Sequence, residues 1–162
     1  MLRTMPPSDD KRPVLRTIFD TNVVLDCFAF EDPLGQILVE QIVEGRLLLL
    51  TRDDLRDELM RVLTYEHLPF DDARRSLALE RYDHHARAMV DPTPARTAAQ
   101  PLVLLPRCRD PDDQKFLEAA RDARADLLLS KDKALLELAR SRQRPVPFRI
   151  LTPQAWLAAA AG

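Results

Sequence analysis

With 162 residues, 46% hydrophobic and 31% charged, the chain has material for one domain built around a real core. Its formal charge of −2 supplies no overall basic field for gathering nucleic acid, so any such role rests on local patches. Two cysteines are too few for a disulfide framework or a zinc site, three glycines exclude the glycine-rich loops of P-loop and dinucleotide-binding proteins, and no apolar run approaches a membrane span.

Residues 1–13 carry charges and three prolines without the apolar centre of a signal peptide, and read as a frayed tail. With Cys27 and Cys108 expected to stay reduced, the reading is a cytoplasmic protein. Residues 14–162 are then one domain. Val14–Phe19 reads as a first strand, apolar on both faces as a central parallel strand would be. Asp20 or Thr21 opens a short helix through Phe28. Pro33 starts a second helix, whose Leu34, Ile37, Leu38, Ile42 and Val43 follow the helical period until Gly45 stops it.

Leu47–Leu50 is a second strand, and Thr51 is the predicted cap for a helix over Asp53–Leu63. Asp71 and Asp72 open a long helix predicted through Met89; with its predecessor it forms a helical arm at about 52–90. Asp91–Gln100 is a loop, Leu102–Leu105 a third strand, Pro111–Ala123 a helix, Asp126–Ser130 a fourth strand and Lys133–Ala139 a helix. Phe148–Leu151 is the last strand, followed by a helix over Pro153–Ala160. Alternating strands and helices predict a three-layer α/β/α sandwich around a mostly parallel sheet of four or five strands.

Three apolar runs end in acids: Phe19 leads to Asp20, the stretch from Pro101 leads to Asp110 and Asp113, and Leu129-Ser130 leads to Asp132. Each acid has a structural role open to it, because Asp20, Asp113 and Asp132 all stand where a helix N-cap would. Taken together they fall at the carboxyl edge of different predicted strands, where open α/β sheets bind ligands. Clustered carboxylates repel one another unless a cation compensates them, and an oxygen-only set favours Mg²⁺ or Mn²⁺ over zinc. Arg140, Arg142, Arg144 and Arg149, with no acid between them, read either as a solvated loop or as phosphate contacts.

Four blocks carry a resemblance: Phe19-Asp20-Thr21-Asn22, Glu58-Leu59 ahead of Val62-Leu63, Asp110-Pro111-Asp112-Asp113 with Phe116-Leu117, and Ser130-Lys131-Asp132 with Leu135-Leu136. Over residues 14–152 the chain resembles the PIN domain, and more narrowly the VapC-like toxins of bacterial toxin–antitoxin pairs. The resemblance implies a Mg²⁺- or Mn²⁺-dependent ribonuclease. Asp20, Glu58, Asp113 and Asp132 would be its metal-holding, catalytic acids. Asn22 would orient Asp20 or a metal-bound water, Ser130 would support the set, and Asp110 and Asp112 are alternates for the third ligand behind Asp113. Ser130 stands where the family usually has Thr, and Lys131 where it usually has Gly, a position from which a Lys reaches phosphate or solvent. Arg109, Arg140, Arg142 and Arg144 would hold the RNA strand, and the partners implied are an RNA substrate, a cognate antitoxin and a second copy in a homodimer. The rival reading is a binding module of the same fold that cleaves weakly or not at all. A phosphoacceptor receiver fits less well, because its acceptor Asp belongs on a middle strand.

Overall fold

The structure, a computed structural model, describes residues 12–89 and 103–161. Five strands make one parallel sheet: β1 (Leu15–Phe19), β2 (Leu47–Thr51), β3 (Arg87–Ala88), β4 (Leu127–Leu129) and β5 (Arg149–Leu151), in the order β3-β2-β1-β4-β5. Helices α1 (Thr21–Phe28), α2 (Pro33–Val43), α3 (Asp53–Leu63), α4 (Asp72–His85), α5 (Gln114–Asp122), α6 (Lys133–Leu138) and α7 (Pro153–Ala160) cover it. The expected three-layer α/β/α architecture is present. Among the described residues no helix is long and apolar enough to cross a membrane.

The strand period of two builds the core directly. Phe19, Leu47, Leu49, Leu127 and Leu129 point into a cluster with Val23, Leu38, Leu59, Leu63, Ala78, Tyr82 and Trp156. Their alternates Ile18, Leu50, Leu128 and Ile150 point into the other cluster, with Phe116, Leu117 and Leu135. Residues of α3 and α4 are buried in the first cluster beside Phe19 and Val23, so this pair of helices packs on the body of the domain. Where α2 begins, a Cβ on Gly35 would lie 2.3 Å from the carbonyl oxygen of Asp26, so the close approach of α1 and α2 requires glycine there. Gly45, with φ of 77°, ends the α2 segment as its sequence position predicts.

Four local expectations are corrected. Residues 103–105 are irregular, with Val103 43% and Leu104 70% exposed, so the predicted strand at Leu102–Leu105 is not formed there; Leu102 and the predicted loop at 91–100 lie outside the described residues. The fifth strand is instead Arg87–Ala88, which pairs with Leu50 and Thr51 and shortens the predicted helix through Met89 to His85. Thr51 does not cap α3; it ends β2, where its hydroxyl meets the Tyr82 hydroxyl at 2.5 Å, and Arg52 takes the cap position without a side-chain bond. The segment before α5 is a 3₁₀ turn, Pro111–Asp113, so the helix starts at Gln114 rather than Pro111.

From β1 the chain steps through β2 to β3 on one side of the sheet, and β4 and β5 fill the other side. The sequence order therefore reverses between β1 and β4, and a crevice opens outside their carboxyl ends, the position at which open α/β sheets bind ligands.

Candidate functional site

That crevice is a cleft of about 240 Å³ lined by Asp20, Glu58, Asp113 and Asp132 together with Asn22, Thr21, Tyr65, His67 and apolar side chains. Asp20 arrives from the end of β1 and Asp132 from just beyond β4, while Glu58 projects from the middle of α3. Asp113 comes from the 3₁₀ turn ahead of α5, not from a strand end. Four separate segments thus bring four carboxylates to one hollow.

The capping roles open to these acids separate them. Asp20 Oδ1 accepts the Val23 N–H at 3.0 Å and caps α1; Asp132 Oδ1 accepts the Ala134 N–H at 2.7 Å and caps α6. Asp113 occupies the cap position of α5 and makes no such bond. Its carboxylate serves no helix.

Asp20 is nearly fully buried, at 4% exposure, and burial raises its pKa above the usual carboxylate range against the opposing pull of its donors. Those donors are the Ser130 hydroxyl, the Val23 N–H already described and the Lys131 backbone N–H, the last 3.3 Å from Oδ2. Ser130 is fully buried and also accepts the Asp132 N–H at 3.0 Å, so one hydroxyl holds the two acids in register. Asp113 is pushed up to about 7, first by desolvation and then by the charges of Asp132, Asp110 and Asp20. Its Oδ2 is buried without a hydrogen-bond donor among the described residues, and its contact with Asp132 becomes favourable only when one of the two carries a proton.

Glu58 is engaged differently. The Thr21 hydroxyl donates to its Oε2, Lys115 Nζ lies 2.7 Å from Oε1, and Arg61 stands 3.7 Å from the same oxygen. Sequence reasoning missed Lys115, although its place two residues after Asp113 at the start of α5 puts it beside the acids. It also missed Tyr65 and His67, even though Glu58, Val62 and Tyr65 follow an i, i+4, i+7 spacing that shares one helical face.

The remaining predicted residues divide. Asn22 lines the cleft. Asp110 sits beside it and is committed to its own turn, accepting the Asp112 N–H at 3.0 Å. Lys131 pairs its ammonium with Asp26 on α1. Arg109 is exposed and stands 3.5 Å from Glu137 of α6. Arg140, Arg142 and Arg144 lie in the connection from α6 to β5. Because β5 runs parallel to β4, and the Arg149 N–H that opens it meets the Asp126 carbonyl just before β4, that connection is at the amino edge of the sheet. The acids are at the carboxyl edge. These arginines do not join the cleft.

A family model for the PIN domain matches residues 16–134, a span that includes all four acids. The chain belongs to the PIN domain family. PIN domains are typically nucleases that use divalent metal ions. Among solved structures, PAE2754 from Pyrobaculum aerophilum superposes with a TM-score of 0.53 at 16% sequence identity, covering 92% of this chain and 91% of that one, a likeness of fold. No curated protein matches significantly.

As placed, no group of three His, Cys, Asp or Glu side chains among the described residues is arranged to hold a metal ion. The donor set nonetheless suits a hard divalent cation for this PIN domain. The orphaned Asp113 Oδ2 and the unrelieved contact between Asp113 and Asp132 are both costs that a cation at this point removes. The ammonium of Lys115 currently meets part of the same electrostatic demand at Glu58.

Proposed function

We propose that this PIN domain is a Mg²⁺- or Mn²⁺-dependent endoribonuclease that hydrolyses RNA phosphodiester bonds at the acidic cleft. The observation that carries this reading is Asp113: a carboxylate at a helix start that caps nothing, half-buried beside a second carboxylate, with an oxygen that has no donor. A purely structural acid would be capping or solvated.

Asp20, Glu58, Asp113 and Asp132 would hold the cation, which supplies Lewis acidity toward a phosphate oxygen and a water nucleophile. Ser130 fixes the Asp20 carboxylate through its buried hydroxyl, and the Lys131 backbone N–H adds a second restraint. Thr21 orients Glu58. Asn22, exposed on the first turn of α1 and lining the cleft, would donate to a phosphate or to the attacking water. Lys115, paired with Glu58, would offer its ammonium to a phosphate oxygen on which negative charge develops.

The four-block resemblance supports a narrower assignment as the toxin of a toxin–antitoxin pair, acting in the cytoplasm as a homodimer and blocked by a cognate antitoxin. One set of measurements tests both levels. Calorimetric titration with Mn²⁺ should show saturable binding that Asp20→Asn weakens, and Asp20→Asn should cut Mn²⁺-dependent RNA cleavage about a thousandfold. Expression should arrest growth with the wild type and not with that variant. A silent titration with no Mn²⁺-dependent cleavage removes the nuclease reading and leaves a binding module; undiminished cleavage by Asp20→Asn removes the acidic cleft as the place of cleavage; cleavage without growth arrest removes only the toxin.

A further inference from the structure

The four acids account for only part of the cleft. Leu25, Val62, Leu68 and Phe116 give it an apolar lining, and Tyr65 and His67 form its aromatic rim. Phosphoryl chemistry at carboxylates has no use for such a surface. Tyr65 is 39% exposed, an unusual state for a large ring at a concave site. Its hydroxyl makes no hydrogen bond within the described residues, and its only ring neighbour is His67, with centroids 5.7 Å apart and planes 37° off parallel. The two rings are too tilted to cover each other as a parallel stack would. Their backbone is nevertheless pinned: the Tyr65 N–H bonds the Val62 carbonyl at 3.1 Å, and the Leu68 N–H bonds the Tyr65 carbonyl at 3.0 Å. This is a backbone-anchored aromatic edge, partly exposed, in the same small cleft as the acids.

We propose that Tyr65, supported by His67, is a nucleobase-stacking platform that selects single-stranded RNA by receiving one unstacked base next to the bond to be cut. The inference rests on the nuclease reading of the same cleft and deepens it. An aromatic face recognises any base through its π surface and cannot reach one that is paired and stacked in a duplex. At about 240 Å³ the cleft is smaller than pockets that enclose drug-sized ligands, roughly 300–1,000 Å³, and suits one extruded nucleotide rather than a helix. The apolar lining desolvates the base, and the adjoining carboxylates meet its phosphate.

The test is fluorescence anisotropy with three labelled RNA probes: a single-stranded 12-mer, its duplex, and the single strand carrying abasic nucleotides, each in EDTA and in Mn²⁺ under conditions too brief for cleavage. The intact single strand should bind at least about tenfold more tightly than either other probe. Tyr65→Ala should lose roughly that factor on the intact strand and nothing on the abasic one, while Tyr65→Phe retains wild-type binding. Because Tyr65 is exposed, Tyr65→Ala should melt with the wild type, so a loss of binding is not a loss of fold. Equal binding of abasic and intact strands, tighter binding of the duplex, no RNA binding in either buffer, or Tyr65→Ala binding like wild type overturns the platform. Cleavage kinetics run in parallel separate the two readings. Wild-type cleavage that Tyr65→Ala retains with unchanged KM removes the platform and leaves the nuclease. Base-dependent binding without any Mn²⁺-dependent cleavage removes the nuclease and leaves the platform as a binding site. A raised KM at nearly constant kcat is the signature expected of the platform.

Discussion

The two edges of the sheet carry opposite chemistry. At the carboxyl edge, Asp20, Asp113 and Asp132 crowd together, and none of the three has a salt-bridge partner among the described residues; the cations nearby are engaged elsewhere, Lys115 and Arg61 at Glu58 and Lys131 at Asp26. At the amino edge, Arg140, Arg142 and Arg144 are exposed and make no ion pair among the described residues, and Arg149 and Arg46 line a separate groove with Trp156. A net charge of −2 conceals this separation. The acids are partly buried and pay desolvation and repulsion, whereas the arginines stand in water and pay little. Only the first arrangement stores free energy that a ligand can release, and so only the first marks a site by its energetics.

Among changes that probe this contrast between the edges, the largest expected effect comes from removing the charge that has no structural use. Asp113→Asn should lower Mn²⁺-dependent RNA cleavage by roughly a hundredfold or more, by the loss of one acid of the set. The same change should stabilise the metal-free protein. With its folded-state pKa raised to about 7, Asp113 keeps its proton in the native state after the unfolded chain has begun to lose it near 3.8. It therefore subtracts stability increasingly from about pH 4 upward, and the penalty is complete above about pH 7. After allowance for solvent screening, Asp113→Asn should gain roughly 1–2 kcal/mol at about pH 8 and almost nothing at about pH 4, read from urea unfolding in EDTA. A loss of stability at high pH would mean that Asp113 is structural and would erase the contrast between the edges.

A smaller effect sharpens the same contrast. Lys115 at 2.7 Å from Glu58 competes with any divalent cation for that carboxylate. Lys115→Met should tighten Mn²⁺ binding by about fivefold, the size of one partly screened charge, while slowing cleavage if the ammonium serves the phosphate. Calorimetry and single-turnover kinetics on one preparation would show the two changes moving in opposite senses. Weaker Mn²⁺ binding would place Lys115 as a support for Glu58 instead.

The sequence made the central strands and their acids legible because both signals are local. Phe19-Asp20 and Leu129-Ser130-Lys131-Asp132 pair a buried apolar run with a helix cap, and the parallel topology then brings the two ends together. The third acid was placed in the cleft on a partly mistaken premise. Its predicted strand is irregular chain at residues 103–105, and the true fifth strand, Arg87–Ala88, has two exposed residues and no apolar pattern to announce it. Edge pairing is decided by the backbone of β2, not by the side chains of the segment that docks there. Thr51 misled for a related reason: a hydroxyl before a helix has the composition of a cap, but Tyr82, thirty-one residues on, claimed it. The Lys115–Glu58 pair was hidden because it joins α3 to α5, a contact that no single window contains, whereas the aromatic rim lies within ten residues of Glu58 and its spacing could have been read.

The arginines at the amino edge supply the smallest expected effect. If RNA is held at the cleft alone, then replacing Arg140, Arg142 and Arg144 together with Ala should change cleavage of a short single strand by less than about twofold, because α6 and the sheet separate them from the acids. Their composition suggests phosphate contacts, and three such contacts would steepen the salt dependence of binding to a single strand by about two in log–log slope. Measuring that slope for the wild type and the triple variant on a 12-mer and on a long transcript distinguishes the possibilities. An unchanged slope on both makes the arginine loop a solvated connection. A reduced slope on the long transcript alone would mean that RNA leaving the cleft wraps the molecule to its far edge, joining the two charged regions through the substrate rather than through the fold.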